Sequence, residues 1–151
     1  MRTVLEELFE REFDAMVGLA RLMLGPGPDA DDVVMTAFVS TAARIDHLDS
    51  PGGYLRTSVV NGCRRRLRDT RRRRRIWQER VVPAADRDLP ASTEYVDDLL
   101  AILSERERAA IVLTYYLDLT NAQAAEVIGC RPGTVKSLVS RGLAKMRKAT
   151  A

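Results

Sequence analysis

The residues best suited to chemistry lie near the C-terminal end of the chain and predict contact with nucleic acid. One side of this segment is apolar, with Val135, Val139, Leu143 and Met146 at helical spacing. The other side carries hydroxyl and cationic groups, from Thr134, Lys136, Ser137, Ser140, Arg141 and Lys145. Such groups hydrogen-bond to phosphates and to base edges in a DNA major groove. The pattern therefore predicts a DNA-reading helix.

The residues before this helix predict how it is positioned. Ala124 and Ala125 allow two helices to approach closely, and Gly129 permits the left-handed backbone of a tight turn. Pro132 suits the first turn of the next helix. The order of helix, turn and cationic helix is typical of a helix-turn-helix that binds DNA. The alternative is an ordinary solvated pair of helices with surface charges.

A second cationic segment lies in the middle of the chain. It contains Arg64, Arg65, Arg66, Arg68 and the run from Arg71 to Arg75, whereas acidic residues outnumber arginines in the first fifty positions. The formal net charge is only +3, so the distribution says more than the total. This cluster predicts a polyanionic partner. A solvated charged face is the alternative for the first four arginines, and a flexible linker start is the alternative for the run.

Catalytic and metal-binding residues are scarce, so we expect no enzyme, no metal and no cofactor. His47 is the single histidine, and no nucleophile or phosphate-binding glycine loop accompanies it. Cys63 and Cys130 lack metal-ligand spacing and are expected to be reduced thiols. The N-terminus alternates charged and apolar residues, which predicts no signal peptide, no membrane insertion and a cytoplasmic location.

Apolar spacing and breakers predict an all-α fold of two small helical domains joined by a flexible linker. A first helix is predicted from Val4 to Leu24, a second over about 30–45 with Asp29 as its cap, and a third from near Tyr54 into the arginines. The apolar period fades over 71–94, where Pro83 and Pro90 interrupt the chain. We expect domains at 1–70 and 95–151, with 71–94 as the linker.

Taken together, these segments resemble a family over nearly the whole chain. LFEREFDAMVGLARLMLG, DADDVVMTAFVS and PGGYLRTSVVNGCRRRLRD resemble the three helices of the promoter-melting domain, region 2, of extracytoplasmic-function (ECF) RNA polymerase sigma factors. YYLDLTNAQAAEVIGCRPGTVKSLVSRGLAKMR resembles their region 4, which reads the minus-35 element. The chain is similar to the sigma-E-like type common in actinomycetes, within the sigma-70 superfamily.

The resemblance implies partners and residue roles. It implies a transcription factor that binds core RNA polymerase, at the beta-prime clamp and the beta flap, and that recognises and helps to melt promoter DNA. An anti-sigma factor is a further implied partner. The implied core-binding residues are Asp31, Asp32, Met35 and Phe38; the minus-10 residues are Tyr54, Asn61, Arg64, Arg65 and Arg68; the minus-35 residues are Arg131, Thr134, Lys136, Ser137, Ser140 and Arg141. Charge at a helix N-terminus is the alternative role for the two aspartates.

Some positions depart from the family pattern. Glutamine is usual where Met35 stands, tryptophan where Ala42 and Tyr54 stand, and proline where Ser104 stands. Leu138 replaces a commonly basic residue, and we expect its apolar group to be able to meet a thymine methyl. A free-standing dimeric helix-turn-helix regulator is the second functional hypothesis, although it leaves the N-terminal half unexplained.

Overall fold

The computed structural model describes residues 2–77 and 93–151, and every regular element in these residues is helical. The all-α prediction is therefore confirmed. The main helices are α1 (Val4–Leu24), α2 (Pro28–Ala43), α3 (Pro51–Trp77), α4 (Thr93–Ala101), α5 (Glu105–Ile111), α6 (Asn121–Ile128) and α7 (Pro132–Thr150). A short 3-10 turn, Ile45–His47, precedes α3, and a π-helical segment, Val112–Tyr116, follows α5.

Helix α1 has the bounds that the sequence predicts, because local capping signals mark both its start and its end. The Thr3 side chain accepts a hydrogen bond from the Glu6 backbone N–H and so caps the N-terminus. At the C-terminus Gly25 adopts a φ of 82°, a region that favours glycine.

The predicted cap of α2 is wrong. Helix α2 begins at Pro28, so Gly27 occupies the cap position and makes no side-chain hydrogen bond. Proline is favoured in the first helical turn, and this places Asp29 inside the helix instead of before it. The Asp29 carboxylate pairs with Arg66 on α3, with Oδ1 2.7 Å from Nη1.

Helices α1, α2 and α3 pack on one another around an apolar core. Its fully buried side chains include Leu8, Met16, Leu19, Met23, Val34, Leu55, Val59, Val60 and Cys63. Helices α2 and α3 cross closely at Gly62, where an added Cβ would lie 2.8 Å from Val33 Cγ1. Helix α3 continues to Trp77, so the whole run from Arg71 to Arg75 is helical. The rest of the expected linker, 78–92, lies outside the described residues, and the domain boundaries stay a prediction.

Helices α4 to α7 form the second packed unit. The side chain of Ser104 caps α5 through a reciprocal capping box with Glu107. Thr120 and Gln123 make the same arrangement on α6. Gly129 has a φ of 83°, and Pro132 begins α7, as the sequence predicts. The helix-turn-helix layout is therefore present.

Candidate nucleic-acid and partner interfaces

Helix α7 presents the predicted polar surface as one open groove. Gly133, Thr134, Lys136, Ser137, Ser140 and Arg141 line this groove together. Arg131, which stands at the N-cap of α7, is exposed as well. The Ser137 hydroxyl donates to the Gly133 carbonyl, with the two oxygens 3.1 Å apart. The structure therefore brings five of the six predicted minus-35 residues together in one groove and leaves the sixth, Arg131, exposed at the start of the same helix.

Leu138 does not belong to that face. Its side chain is only 3% exposed and packs in the core with Val135, so the expected contact with a thymine methyl is wrong. In a helix, residues three apart share a face, and Leu138 therefore continues the buried stripe of Val135. Val139, Leu143 and Met146 are only partly buried against the same core.

Two contacts set the distance between α7 and α5. Gly142 lies against Ile111, because an added Cβ would come within 2.5 Å of Ile111 Cδ1. Lys145 Nζ lies 2.7 Å from Glu107 Oε1, so this lysine holds the helix in place. Burial by itself would raise the pKa of Glu107, but hydrogen bonds from Lys145 and Ser104 hold the pKa below its ordinary value.

The predicted minus-10 residues divide between two faces of α3. Tyr54, Asn61 and Arg65 line a cavity of ≈ 490 Å³ between α2 and α3, with Ser40 and Thr36 on its opposite wall. Asn61 and Arg65 are one helical turn apart and are both exposed. The cavity thus combines an aromatic ring, an amide and a guanidinium. These groups can stack on, hydrogen-bond and charge-pair with a nucleotide.

Tyr54 is fixed by polar neighbours. Its hydroxyl oxygen lies 3.0 Å from Ser40 Oγ, and the Arg44 guanidinium carbon lies 5.9 Å from the ring centroid. Cations over an aromatic face stabilise its orientation. The ring is thus held half-buried at the wall of the cavity, where it can support an unstacked base.

Arg64 and Arg68 point away from this cavity. Arg64 donates from Nε to Glu105 Oε2 at 2.6 Å and from Nη1 to the Ile128 carbonyl at 3.0 Å. Arg68 Nη1 lies 4.0 Å from Glu105 Oε1. A spacing of four residues places these two arginines on one face, offset from that of Asn61 and Arg65. Sequence reasoning missed Glu105, because a contact between distant segments leaves no local signal.

The acidic start of α2 has an exposed apolar neighbour. Asp31, Asp32 and Met35 are exposed, whereas Phe38 is only 5% exposed. Its ring packs against Phe9 and Phe13, with centroids 5.2 and 6.1 Å away. Phe38 therefore lies beneath this surface instead of on it.

Val39 and Phe9 are the surface residues that sequence reasoning missed. Val39 is 66% exposed and Phe9 is 42% exposed. Val39 lies one turn after Met35, and this spacing outside the buried stripe is the signal that could have revealed it. Exposed apolar groups beside carboxylates are typical of a protein-binding surface.

The part of the chain that the structure describes holds no cluster of three or more His, Cys, Asp or Glu side chains placed to bind a metal ion. Among the same residues, no helix is both long and apolar enough to cross a membrane.

Comparisons with known proteins match both halves of the chain. A model of sigma-70 region 2 matches residues 8–73, and a model of sigma-70 region 4 matches residues 93–146. The ECF RNA polymerase sigma factor SigM of Mycobacterium tuberculosis is 31% identical, covering 97% of this chain and 77% of its own. The RNA polymerase sigma-E factor of Streptomyces avermitilis is 28% identical, and the match covers 95% of this chain and 83% of that protein.

Solved structures share the fold. CnrH, solved in complex with the cytosolic domain of CnrY, has a TM-score of 0.71 and 27% identity, covering 97% of this chain and 86% of its own. The sigma factor RpoE of Bartonella quintana, solved with the anti-sigma factor NepR, has a TM-score of 0.72 and 22% identity, covering 95% and 94%. The order of region 2 and region 4 along one chain is not that of a free-standing helix-turn-helix regulator. The chain therefore belongs to the sigma-70 superfamily of RNA polymerase sigma factors, in its extracytoplasmic-function group.

Proposed function

We propose that three separate surfaces perform the binding functions of this sigma factor, which directs RNA polymerase to promoters. The acidic and apolar surface of α2 binds core polymerase, the cavity between α2 and α3 takes up minus-10 DNA, and the groove of α7 reads the minus-35 element. The observation that carries this proposal is the presence of a nucleotide-sized cavity and a separate DNA-reading helix on one chain. The protein acts as an initiation factor in the cytoplasm and performs no catalysis itself.

Core binding depends, in this proposal, on Asp31, Asp32, Met35 and Val39. Carboxylates at the rim provide charge complementarity, and Met35 and Val39 provide apolar area at the centre. Phe38 supports this surface from beneath by packing on Phe9. The anti-sigma partner that the resemblance implies would compete for the same exposed apolar surface.

Val39→Asp tests the core-binding surface. We expect it to weaken core polymerase binding about tenfold or more, the effect typical of an important interface residue. Val4→Asp is the matched control, because Val4 is 60% exposed at the start of α1. Fluorescence anisotropy of labelled protein titrated with core polymerase measures both. Equal affinities for the two variants would contradict the surface assigned here.

Promoter opening depends on the cavity between α2 and α3. An extruded base stacks on Tyr54 and hydrogen-bonds to Asn61, while Arg65 pairs with the adjacent phosphate. Binding of unstacked bases and single-strand phosphates offsets the cost of unstacking, about a few kcal/mol, so melting needs no cofactor.

Asn61→Ala tests the cavity through permanganate footprinting of melted promoter DNA. We expect holoenzyme that carries this variant to bind promoters but to melt them less. Asp69→Ala is the matched control, since Asp69 lines the far end of the same cavity and its carboxylate would repel a phosphate. Normal melting by the Asn61→Ala holoenzyme would refute the role of the cavity.

A further inference from the structure

The groove of α7 offers DNA mostly hydrogen-bond donors. Lys136 and Arg141 line it and can only donate, and none of the six residues that line the groove is Asp, Glu, Asn or Gln. A base amino group that enters the groove therefore finds side-chain acceptors only on hydroxyl oxygens. The hydroxyls in the lining belong to Thr134, Ser137 and Ser140. These three side chains determine whether the groove can recognise a base that donates.

The Ser137 hydroxyl has a partner for its proton inside the helix. The residue is exposed in the groove, and its Oγ donates to the Gly133 carbonyl one helical turn earlier, with the two oxygens 3.1 Å apart. Serine in a helix can make this bond to the preceding turn. A serine hydroxyl has one proton and two lone pairs. Since the proton is engaged within α7, the oxygen presents its remaining lone pairs to the groove.

This bond makes acceptance from DNA more favourable than donation to DNA. Accepting a hydrogen bond leaves the bond to Gly133 in place, whereas donating one would break it. The net contribution of one hydrogen bond corresponds to about a fivefold change in affinity. Phosphate oxygens only accept, and so do guanine O6 and N7 and thymine O4 in the major groove. The Ser137 hydroxyl is therefore poorly matched to all of these groups.

We propose that Ser137 selects bases in the minus-35 element by accepting a hydrogen bond from an amino group, N6 of adenine or N4 of cytosine. These are the two base donors of the major groove. On the DNA strand that faces Ser137, adenine or cytosine is thus favoured over guanine or thymine at one position. Lys136 and Arg141, as donors, take the phosphates and acceptor edges around it. The inference rests on the proposed function of the α7 groove and adds the chemical class of base that Ser137 takes.

Selection of promoter DNA by the holoenzyme tests this preference. The minus-35 positions of a promoter that depends on this chain are randomised, and the bound DNA is sequenced. We expect the parent chain to favour adenine or cytosine about fivefold at one position, and Ser137→Ala to be indifferent there. Ser137→Thr should keep the preference, because a threonine hydroxyl in a helix can also bond to the preceding turn. Thr150→Ala is the matched control and should change no position, because the Thr150 hydroxyl makes a similar bond, 2.9 Å to the Arg147 carbonyl, but lies outside the groove.

Base analogues test the amino group itself. Purine in place of adenine, or 2-pyrimidinone in place of cytosine, removes only that group from the favoured base. Fluorescence anisotropy should show about fivefold weaker promoter binding by the parent holoenzyme and no such loss with Ser137→Ala. Equal losses in both chains, a guanine or thymine selected at the position that depends on Ser137, or unchanged selection by Ser137→Ala would overturn the inference. An absence of any selected minus-35 base with the parent chain would refute the proposed function of the groove, and the role of Ser137 with it.

Discussion

Gly142→Ala is predicted to destabilise the packing of α7 against α5. Alanine is better than glycine inside a helix by up to about 1 kcal/mol. The new Cβ, however, would lie 2.5 Å from Ile111 Cδ1 and 3.6 Å from Glu107 Cβ. Overpacking of this kind costs about 1–3 kcal/mol. We expect a net loss of about 1 kcal/mol in the free energy of unfolding, from the difference between these two effects.

Ile111→Val supplies the compensating change, because it deletes the Cδ1 atom that the new methyl would meet. Alone it should cost about 1 kcal/mol through the space that it leaves. In the double variant the methyl introduced by Gly142→Ala fills this space, so the two losses should not add, and a favourable coupling of about 1–2 kcal/mol is expected.

Urea unfolding followed by circular dichroism measures the whole cycle. Gly133→Ala is the matched control in the same helix, since nothing lies within 4 Å of its Cβ position. We expect its stability to be unchanged or raised by up to about 1 kcal/mol. Additive losses in the double variant, or a Gly142→Ala variant as stable as Gly133→Ala, would refute the close packing of α5 and α7.

Three further predictions concern ionisable groups. Because the pKa of Glu107 is lowered, its ion pair stabilises the fold fully at pH values above the ordinary pKa of 4.5, and this stabilisation is lost as the pH falls through the lowered pKa. We therefore expect the stability difference between the parent chain and Glu107→Gln, measured by urea unfolding, to shrink as the pH falls below 4.5. Burial raises the pKa of the Cys63 thiol to about 12, so iodoacetamide at pH 8 should modify Cys130 and spare Cys63 by mass spectrometry. Comparable labelling of both thiols would contradict this. Lys136→Gln should reduce the salt slope of holoenzyme binding to promoter DNA by about 1, and an unchanged slope would argue against a phosphate contact.

Local sequence signals predicted most of the fold. The bounds of α1, the turn at Gly129 and the start of α7 at Pro132 all follow from residues within one helical turn of the feature. Glycine and proline restrict the backbone locally, which makes such signals readable without knowledge of tertiary contacts. The error at Asp29 arose because two cap signals competed within three residues, and the proline determined the helix start.

The sites were harder to predict, because they depend on contacts between distant segments. The spacing of residues along the sequence could not tell whether Leu138 faces DNA or the core. In the structure its side chain is buried in the core. Similarly, the sequence shows Arg64 only as one cation in a basic cluster. Its partner Glu105 lies more than forty positions away along the chain, so only the tertiary structure reveals their ion pair. Helical periodicity indicates that Arg64 and Arg65 lie on different faces, but not what each face meets.

In vitro transcription with core polymerase tests the central claim most directly. Transcription starts are mapped across genomic DNA with and without the protein. We predict starts that require this chain and that are lost when Asn61→Ala is combined with Lys136→Gln. An absence of protein-dependent starts, together with tight and specific binding of duplex DNA by the isolated chain, would contradict its action as a sigma factor.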